Sequence, residues 1–180
     1  MSEGYRVMFW GIFFITFHIN LGPISILPAF IGYLIVSRGI DRLQGEFTSP
    51  FFRKARLVSS GLTILGVISF LLIWFPQSES MMMSFYPLSF SILELFLVYY
   101  TLEGSIERMQ AYGDGKQVDG YRSEQRSYLI FMTIYIVGMC LAITIANEIF
   151  TTLMILLGLF LRFWLLAMLG RLKRSAIIRN

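Results

Sequence analysis

The feature that most constrains this chain is a long uncharged run near its start that contains helix-breaking residues. Residues 7–37 include no Asp, Glu, Lys or Arg. A continuous helix of about 31 residues would measure roughly 46 Å, which exceeds the roughly 30 Å of bilayer hydrocarbon. Proline removes a backbone donor, and glycine and asparagine tolerate left-handed backbone. A break in the helix is therefore predicted at Asn20, Gly22, Pro23 and Pro28.

Two arrangements of this run are consistent with its length. In the first, short helices over about 5–19 and 24–38 form a hairpin, and both ends lie on one side of a membrane. In the second, one broken or kinked helix crosses the membrane once. Arg6, just before the run, favours the hairpin because cations are retained on the cytoplasmic side.

The composition points to a lipid environment. Hydrophobic residues make up 56% of the chain and charged residues only 14%, with seventeen Phe and ten Met among 180 residues. A soluble core of this size cannot hide so much apolar surface, so lipid must cover it. The single cysteine, Cys140, excludes an intramolecular disulfide.

Four further apolar stretches predict membrane spans, at about 57–75, 85–102, 128–146 and 149–169. The expected fold class is all-α: a polytopic integral membrane helical bundle forming a single membrane domain over 1–180. It has six membrane segments if the first run is a hairpin of short helices, or five if that run is one broken span.

Lysine and arginine are concentrated in alternate connections. They lie in loops 39–56 and 103–127 and in the tail, 171–180, whereas the two turns between these regions contain none. Because basic loops are retained in the cytoplasm, the pattern predicts a multi-pass membrane protein with these loops and the C-terminus inside.

Three short stretches of the N-terminal region carry a resemblance. They are Phe17-His18-Ile19-Asn20, then residues 26–35 with Ile26-Leu27-Pro28 and Ile31-Gly32-Tyr33, then Gly39-Ile40-Asp41-Arg42-Leu43. Together they resemble an uncharacterised family of small polytopic membrane proteins of Gram-positive, often spore-forming, bacteria. The N-terminal hairpin of that family carries Asn-Gly and Ile-Leu-Pro-Asp-x-Ile-Gly-Tyr patterns.

The resemblance implies a bacterial plasma membrane and a hairpin, and it brings no activity with it. This chain departs from the pattern at two positions. Ala29 stands where the family usually has Asp, and Ser25 stands where another acid is common. An acid-dependent role at these positions is therefore not expected to carry over.

Two charged residues are predicted to lie inside the bilayer. Glu94 and Arg162 each lie nine residues before a charged residue at the inner end of their span, so they share a depth. An ionised side chain at a helix centre costs about 2.5–3.5 kcal/mol, which favours an intramembrane charge pair. In the alternatives, Arg162 extends to the headgroups while a protonated Glu94 bonds to Ser91, or the two serve transport or catalysis.

Small residues indicate close helix packing. Gly138, Ala142 and Ala146 are four apart on one helix face, and Gly158 lies one turn before Arg162. Packing within the chain is the expected use of this face, and a homo-oligomer is the second option. His18 titrates near neutral pH in principle, but a lone histidine is more often a hydrogen-bonded side chain than a switch.

No enzyme signature is found. The chain has no His-Glu-x-x-His, phosphate-loop, calcium-loop or Gly-x-Ser-x-Gly motif, and one His with one Cys does not make a metal site. No catalytic residue, metal or cofactor is expected. Nucleic acid is not an expected partner, because the basic residues are explained by orientation in the membrane.

Two classes of function remain. The first is a non-enzymatic accessory or regulatory subunit, whose basic loops 39–56 and 103–127 bind anionic lipid or a protein partner. The second is a small oligomeric transporter or channel that uses Glu94 and the broken N-terminal helix. A cavity that reaches Glu94 favours the second class, and a fully packed Glu94 favours the first.

Overall fold

The structure, a computed structural model, describes residues 2–17, 20–21, 24–25, 28–72, 81–112, 115–145 and 147–177. The helices are α1 (Ser2–Thr16), α2 (Ala29–Glu46), α3 (Pro50–Leu72), α4 (Met81–Ala111), α5 (Gly115–Ile145) and α6 (Glu148–Ile177). Between α1 and α2, β1 (Asn20–Leu21) pairs antiparallel with β2 (Ile24–Ser25). The described residues are thus helical apart from short connections and this two-residue ladder, so the predicted all-α class is confirmed.

The six helices form a closed ring. Each helix packs against the next one in the chain, and α6 packs against α1. Paired contacts show that neighbours run antiparallel: Asp41 meets Arg56 while Phe30 meets Phe70, and Tyr128 meets Trp164 while Gly138 meets Met154. Consequently α1, α3 and α5 begin at the same end of the ring at which α2, α4 and α6 finish.

The N-terminal helices α1 and α2 form an antiparallel hairpin with very close backbone contact. A Cβ atom added at Gly4 would lie 3.0 Å from the carbonyl oxygen of Gly39, and one added at Gly11 would lie 2.8 Å from that of Gly32. Glycine at these places lets the two backbones touch. The first apolar run therefore turns back on itself instead of continuing as one helix.

Toward the end of the ring where α1, α3 and α5 begin, the helices extend beyond the predicted segments, and most of the predicted loops are helical. The predicted start of the second helix at residue 24 is wrong, because Ile24–Ser25 form β2 and α2 begins only after Pro28. Loop 103–127 is divided between the end of α4 and the start of α5, and loop 39–56 between α2 and α3. Ser49 caps α3, because its hydroxyl accepts a hydrogen bond from the backbone N–H of Phe51. Polar side chains mark where water begins, not where a helix stops, since Glu, Gln, Arg and Lys are good helix formers.

Three of the helices in the described chain are long and apolar enough to cross a membrane, which indicates a membrane protein. They are the parts Pro50–Leu71, Val118–Ile145 and Glu148–Arg174. Six membrane segments are not supported by this criterion. With 15 residues, α1 measures about 22 Å, and both α2 and the described part of α4 include several charged residues.

The two ends of the ring differ in charge. One end, which we call the charged end, is where α1, α3 and α5 begin. It holds the exposed ion pairs Arg42–Glu3 at 3.2 Å and Arg56–Asp41 at 2.8 Å. Toward the opposite end, large apolar side chains on α5 and α6 are exposed, among them Ile145, Ile149 and Leu156.

The helical part of the N-terminal hairpin stops short of the other helices at the opposite end. Tyr33, which contacts Glu94, lies four residues after the start of α2, a rise of about 6 Å. Glu94 lies thirteen residues after the start of α4, and Arg162 fourteen after the start of α6, a rise of about 20 Å. The helices α1 and α2 therefore reach only about one turn past the level of Glu94 and Arg162.

Candidate functional site

Glu94 and Arg162 lie together inside the ring. The Nη2 atom of Arg162 is 3.1 Å from Oε1 and 3.3 Å from Oε2 of Glu94. The Tyr33 hydroxyl donates a hydrogen bond to Oε1 of the same carboxylate. These three side chains come from α2, α4 and α6, which alternate around the ring, so all three can point toward its centre.

Neighbouring aromatic rings hold this group in place. The ring of Phe90, one turn before Glu94 on α4, stacks on Tyr33 with centroids 5.9 Å apart. Gly158, one turn before Arg162, receives the ring of Tyr135, and an added Cβ there would lie 2.9 Å from Tyr135 Cε2. The space that Gly158 leaves beside Arg162 is therefore occupied by an aromatic side chain of α5.

The ion pair is partly open. The side chain of Glu94 is 18% exposed and that of Arg162 is 33% exposed. Both line a small cavity of about 30 Å³ together with Tyr33, Tyr128 and Tyr135. A cavity of this size holds one or two water molecules, and its polar lining can hydrogen bond them.

On another side the pair faces a larger groove between α2, α3 and α4. The groove has a volume of about 410 Å³ and is lined by Glu94, Arg162 and the hydroxyl residues Ser69, Ser91 and Tyr135. Aromatic rings, those of Phe70 and Phe90, form part of its apolar wall. A volume of this order accommodates a small organic molecule.

The pair is separated from the charged end by packed apolar side chains. This layer is buried and consists of Met8, Ile12, Leu97, Val98, Leu165 and Leu169. The cavity within it measures about 10 Å³, too little to hold a water molecule comfortably. Within the described part of the chain, Glu94 and Arg162 are therefore reached from the groove and not from the charged end.

A second buried guanidinium lies in the ring at the charged end. Arg108 is 6% exposed, its Nη2 atom is 3.5 Å from Glu46, and its guanidinium lies 5.9 Å from the centre of the Tyr5 ring. The Tyr5 hydroxyl in turn bonds to Ser105 at 3.0 Å. Arg108 lies in the predicted loop 103–127, but the helical extension of α4 brings it into the core.

Of the residues predicted to break the first helix, Pro28 lines the groove that reaches Glu94 and Arg162. Asn20 lies in β1 opposite Ser25, and Pro28 directly precedes α2 with extended backbone. Gly22 and Pro23, like His18, lie outside the described residues.

The predicted packing face lies between α5 and α6. Gly138 receives the thioether of Met154, and Ala142 is 4% exposed. Ala146 lies outside the described residues, and Cys140 is exposed. The described part of this face packs within the chain.

Two features of the site were not found from the sequence. Tyr33 was noted only as part of the resemblance, because a neutral tyrosine in an apolar run gives no sign of a buried partner. The contact glycines of the hairpin were also missed. Their signal was the seven-residue spacing of Gly4 and Gly11 and of Gly32 and Gly39, which places each pair on one helix face.

Among the described residues, no group of three or more His, Cys, Asp or Glu side chains is arranged to hold a metal ion. The chain matches no known family model, no curated protein and no solved structure.

Proposed function

We propose that this chain is a small membrane transporter in which Glu94 and Arg162 form the binding and coupling site. The observation that carries this proposal is the groove of about 410 Å³, which reaches a charged pair that is closed off from the charged end. Charged residues at membrane depth mark ion or substrate pathways in many transporters. A dry, fully packed pair would instead have favoured the accessory subunit.

The chemistry of the site favours a solute that carries a carboxylate or phosphate group. The Nη2 atom of Arg162 contacts both Glu94 oxygens, and a guanidinium group binds the oxygens of any carboxylate or phosphate through the same N–H groups. A solute anion can replace Glu94 at Arg162 if Glu94 takes up a proton. Binding of solute is then coupled to movement of a proton. The Tyr33 hydroxyl hydrogen bonds to the group beside Arg162, either the Glu94 carboxylate or the solute anion.

For the topology, we propose that the charged end faces the cytoplasm of a bacterial plasma membrane. The alternation of basic connections supports this orientation, and the C-terminus is then inside. The groove opens on the other side, toward the exterior. In this arrangement α3, α4, α5 and α6 cross the membrane, and the shorter α1 and α2 enter it partway from the cytoplasm.

The first experiment tests whether the groove is open to water. Ser69 lines it, and Ser59, ten residues earlier on the same helix, is 0% exposed. In a Cys140→Ser background, we expect Ser69→Cys to react in intact cells with a membrane-impermeant thiol reagent, and Ser59→Cys to stay unlabelled. Equal labelling of both variants, or of neither, would contradict an open groove.

The second experiment tests the role of Glu94. The chain is reconstituted in liposomes that contain a pH-sensitive dye, and proton entry is followed after a pH gradient is imposed together with external inorganic phosphate as the anion. We expect Glu94→Gln to lower entry to the level of empty liposomes. Glu107→Gln, on the same helix but at the charged end, should retain it. If Glu94→Gln and Glu107→Gln behave alike, Glu94 is not the coupling residue.

The accessory or regulatory subunit is the second candidate, and exposed cations at the charged end favour it. Arg53 on α3 is exposed and forms no ion pair with another described residue. A protein that co-purifies with the wild type and is lost with Arg53→Glu would support this candidate. It would do so most clearly if Ser69→Cys were also unlabelled.

A further inference from the structure

A second large groove lies between α4 and α5 at the charged end of the ring. Its volume is about 490 Å³, and it is separate from the groove at Glu94. Its polar half includes Arg122, Gln125 and Arg126 of α5 and Glu103 of α4. Its apolar half includes Leu129, Ile130 and Ile134 of α5.

The α5 wall of this groove changes character along its length. Arg122, Arg126, Ile130 and Ile134 are spaced four residues apart, so they form one stripe along the helix face. Both arginines are exposed, and the isoleucines are 54% and 52% exposed. The stripe is therefore cationic toward the charged end and apolar toward the middle of the bundle.

The groove carries a net positive charge, because its lining includes two guanidinium groups and only one carboxylate. That carboxylate, of Glu103, accepts a hydrogen bond from Gln125 Nε2 at 3.1 Å. Neither Arg122 nor Arg126 forms an ion pair with any described residue, whereas Arg42, Arg56 and Arg171 at the same end all do. The two arginines are thus available to an anion from outside the chain.

We propose that this groove binds one anionic phospholipid. The headgroup phosphate is held by the guanidinium groups of Arg122 and Arg126, and an acyl chain lies along Ile130 and Ile134. Arginine suits this role because its planar fork binds phosphate oxygens in pairs. Basic pockets between membrane helices on the cytoplasmic side bind anionic lipids in the same manner.

The apolar half of the groove argues for a lipid in preference to a free phosphate compound. Ile130 and Ile134 lie roughly 6 and 12 Å beyond Arg126 along the helix. A soluble phosphate ester would leave these side chains without a partner. A phospholipid covers them with its acyl chain while its phosphate stays at the arginines.

The test compares two double variants that remove the same charge at the same end. Arg122→Gln/Arg126→Gln changes the groove, and Arg38→Gln/Arg174→Gln changes two exposed arginines that do not line it. Each protein is purified in a neutral detergent and titrated with phosphatidylglycerol, and the rise in melting temperature gives the apparent affinity. Phosphatidylcholine and glycerol 1-phosphate are titrated in parallel.

We expect the groove variant to lose roughly 25-fold in apparent affinity for phosphatidylglycerol, since each arginine near an anionic lipid contributes about a factor of five. The control variant should bind as the wild type does, and glycerol 1-phosphate should not raise the melting temperature. Equal losses in both variants would show only general charge attraction and overturn the proposal. A rise with glycerol 1-phosphate equal to that with lipid would also overturn it, in favour of a soluble phosphate ligand. Proton entry through the Glu94 site is measured separately, so the two proposals fail independently.

Discussion

The first and last helix hairpins of the ring are held together in different ways. In the α1–α2 hairpin, each contact glycine lies against backbone atoms of the other helix as well as against a side chain. In the α5–α6 hairpin, glycine contacts a side chain alone, that of Met154 at Gly138 and that of Tyr135 at Gly158. The first contact therefore includes rigid backbone, and the second can relax by movement of a side chain.

The two hairpins also differ in what covers their surfaces. In α1 and α2 the exposed large apolar side chains are Trp10, at 48%, and Leu34, at 41%, while Met8 is only 2% exposed. In the second hairpin, Ile145 is 60% and Ile149 75% exposed. The first hairpin is therefore stabilised by contacts within the chain, while the second depends on lipid around it.

The ion pair links α6 of the second hairpin to α4, and Tyr33 of the first hairpin bonds to the same Glu94 carboxylate, so breaking the pair should have the largest effect. Arg162→Met leaves the Glu94 carboxylate without its charged partner, and we expect a loss of about 3–5 kcal/mol in the free energy of unfolding. Arg174→Met, an exposed position on the same helix, should have little effect. Unfolding is followed in mixed micelles by titration with a denaturing detergent.

A compensating variant separates loss of the pair from loss of packing. Glu94→Gln/Arg162→Met removes both charges and should recover most of the lost stability. The exchange Glu94→Arg/Arg162→Glu should likewise restore folding that either single exchange prevents. A double variant as unstable as Arg162→Met would mean that the unpaired charge is not the cause of the lost stability.

Tyr33 connects the first hairpin directly to this pair, and its hydroxyl can be removed without changing the shape of the ring. A hydrogen bond to a charged group contributes about 1.5–3 kcal/mol, so Tyr33→Phe should destabilise the protein by that order. Tyr99→Phe on the exposed face of α4 is the matched control. If both variants unfold at the same denaturant concentration, the hydroxyl contributes nothing to the contact between α2 and α4.

The sequence predicted the depth of the ion pair but not its full surroundings. Counting nine residues from the inner end of each span put Glu94 and Arg162 at one level. In the structure, Nη2 of Arg162 lies 3.1 Å from Oε1 of Glu94. Tyr33 could not be found in this way, since a neutral phenol in an apolar run has no charge that demands a partner. Arg108 was misplaced for the opposite reason: its polar neighbours indicate solvent, yet the helix that carries it continues into the core.

The limits of the elements follow the same logic. Pro28 marks the start of α2, because a proline restricts only its own backbone and that of the residue before it, and this effect can be predicted without knowing the fold. The extension of α4 to Ala111 depends on helix propensity and on tertiary contacts such as Phe52 against Gly104. A hydropathy pattern records the burial of side chains in lipid, so it misses helix that continues into water.

The rigid contact of the first hairpin predicts a clear penalty for one added methyl group. In Gly11→Ala, the new Cβ would lie 2.8 Å from both the Gly32 oxygen and the Val36 nitrogen, which are backbone atoms. We expect a loss of about 1–3 kcal/mol, the range for overpacked cores. Gly61→Ala is the control, because nothing lies within 4 Å of its added Cβ. A Gly11→Ala protein as stable as Gly61→Ala would show that the two backbones are not in contact.

The same substitution in the second hairpin should have the smallest effect. In Gly138→Ala, the nearest atom to the new Cβ is the sulfur of Met154. A methionine side chain has three rotatable bonds and can move aside, so the loss should stay below about 1 kcal/mol. The ratio between Gly11→Ala and Gly138→Ala, measured in one detergent, then quantifies the difference between a backbone contact and a side-chain contact. If Gly138→Ala were the more damaging of the two, the α5–α6 hairpin would be the rigid part of the ring, and its exposed surface would not mean a looser packing.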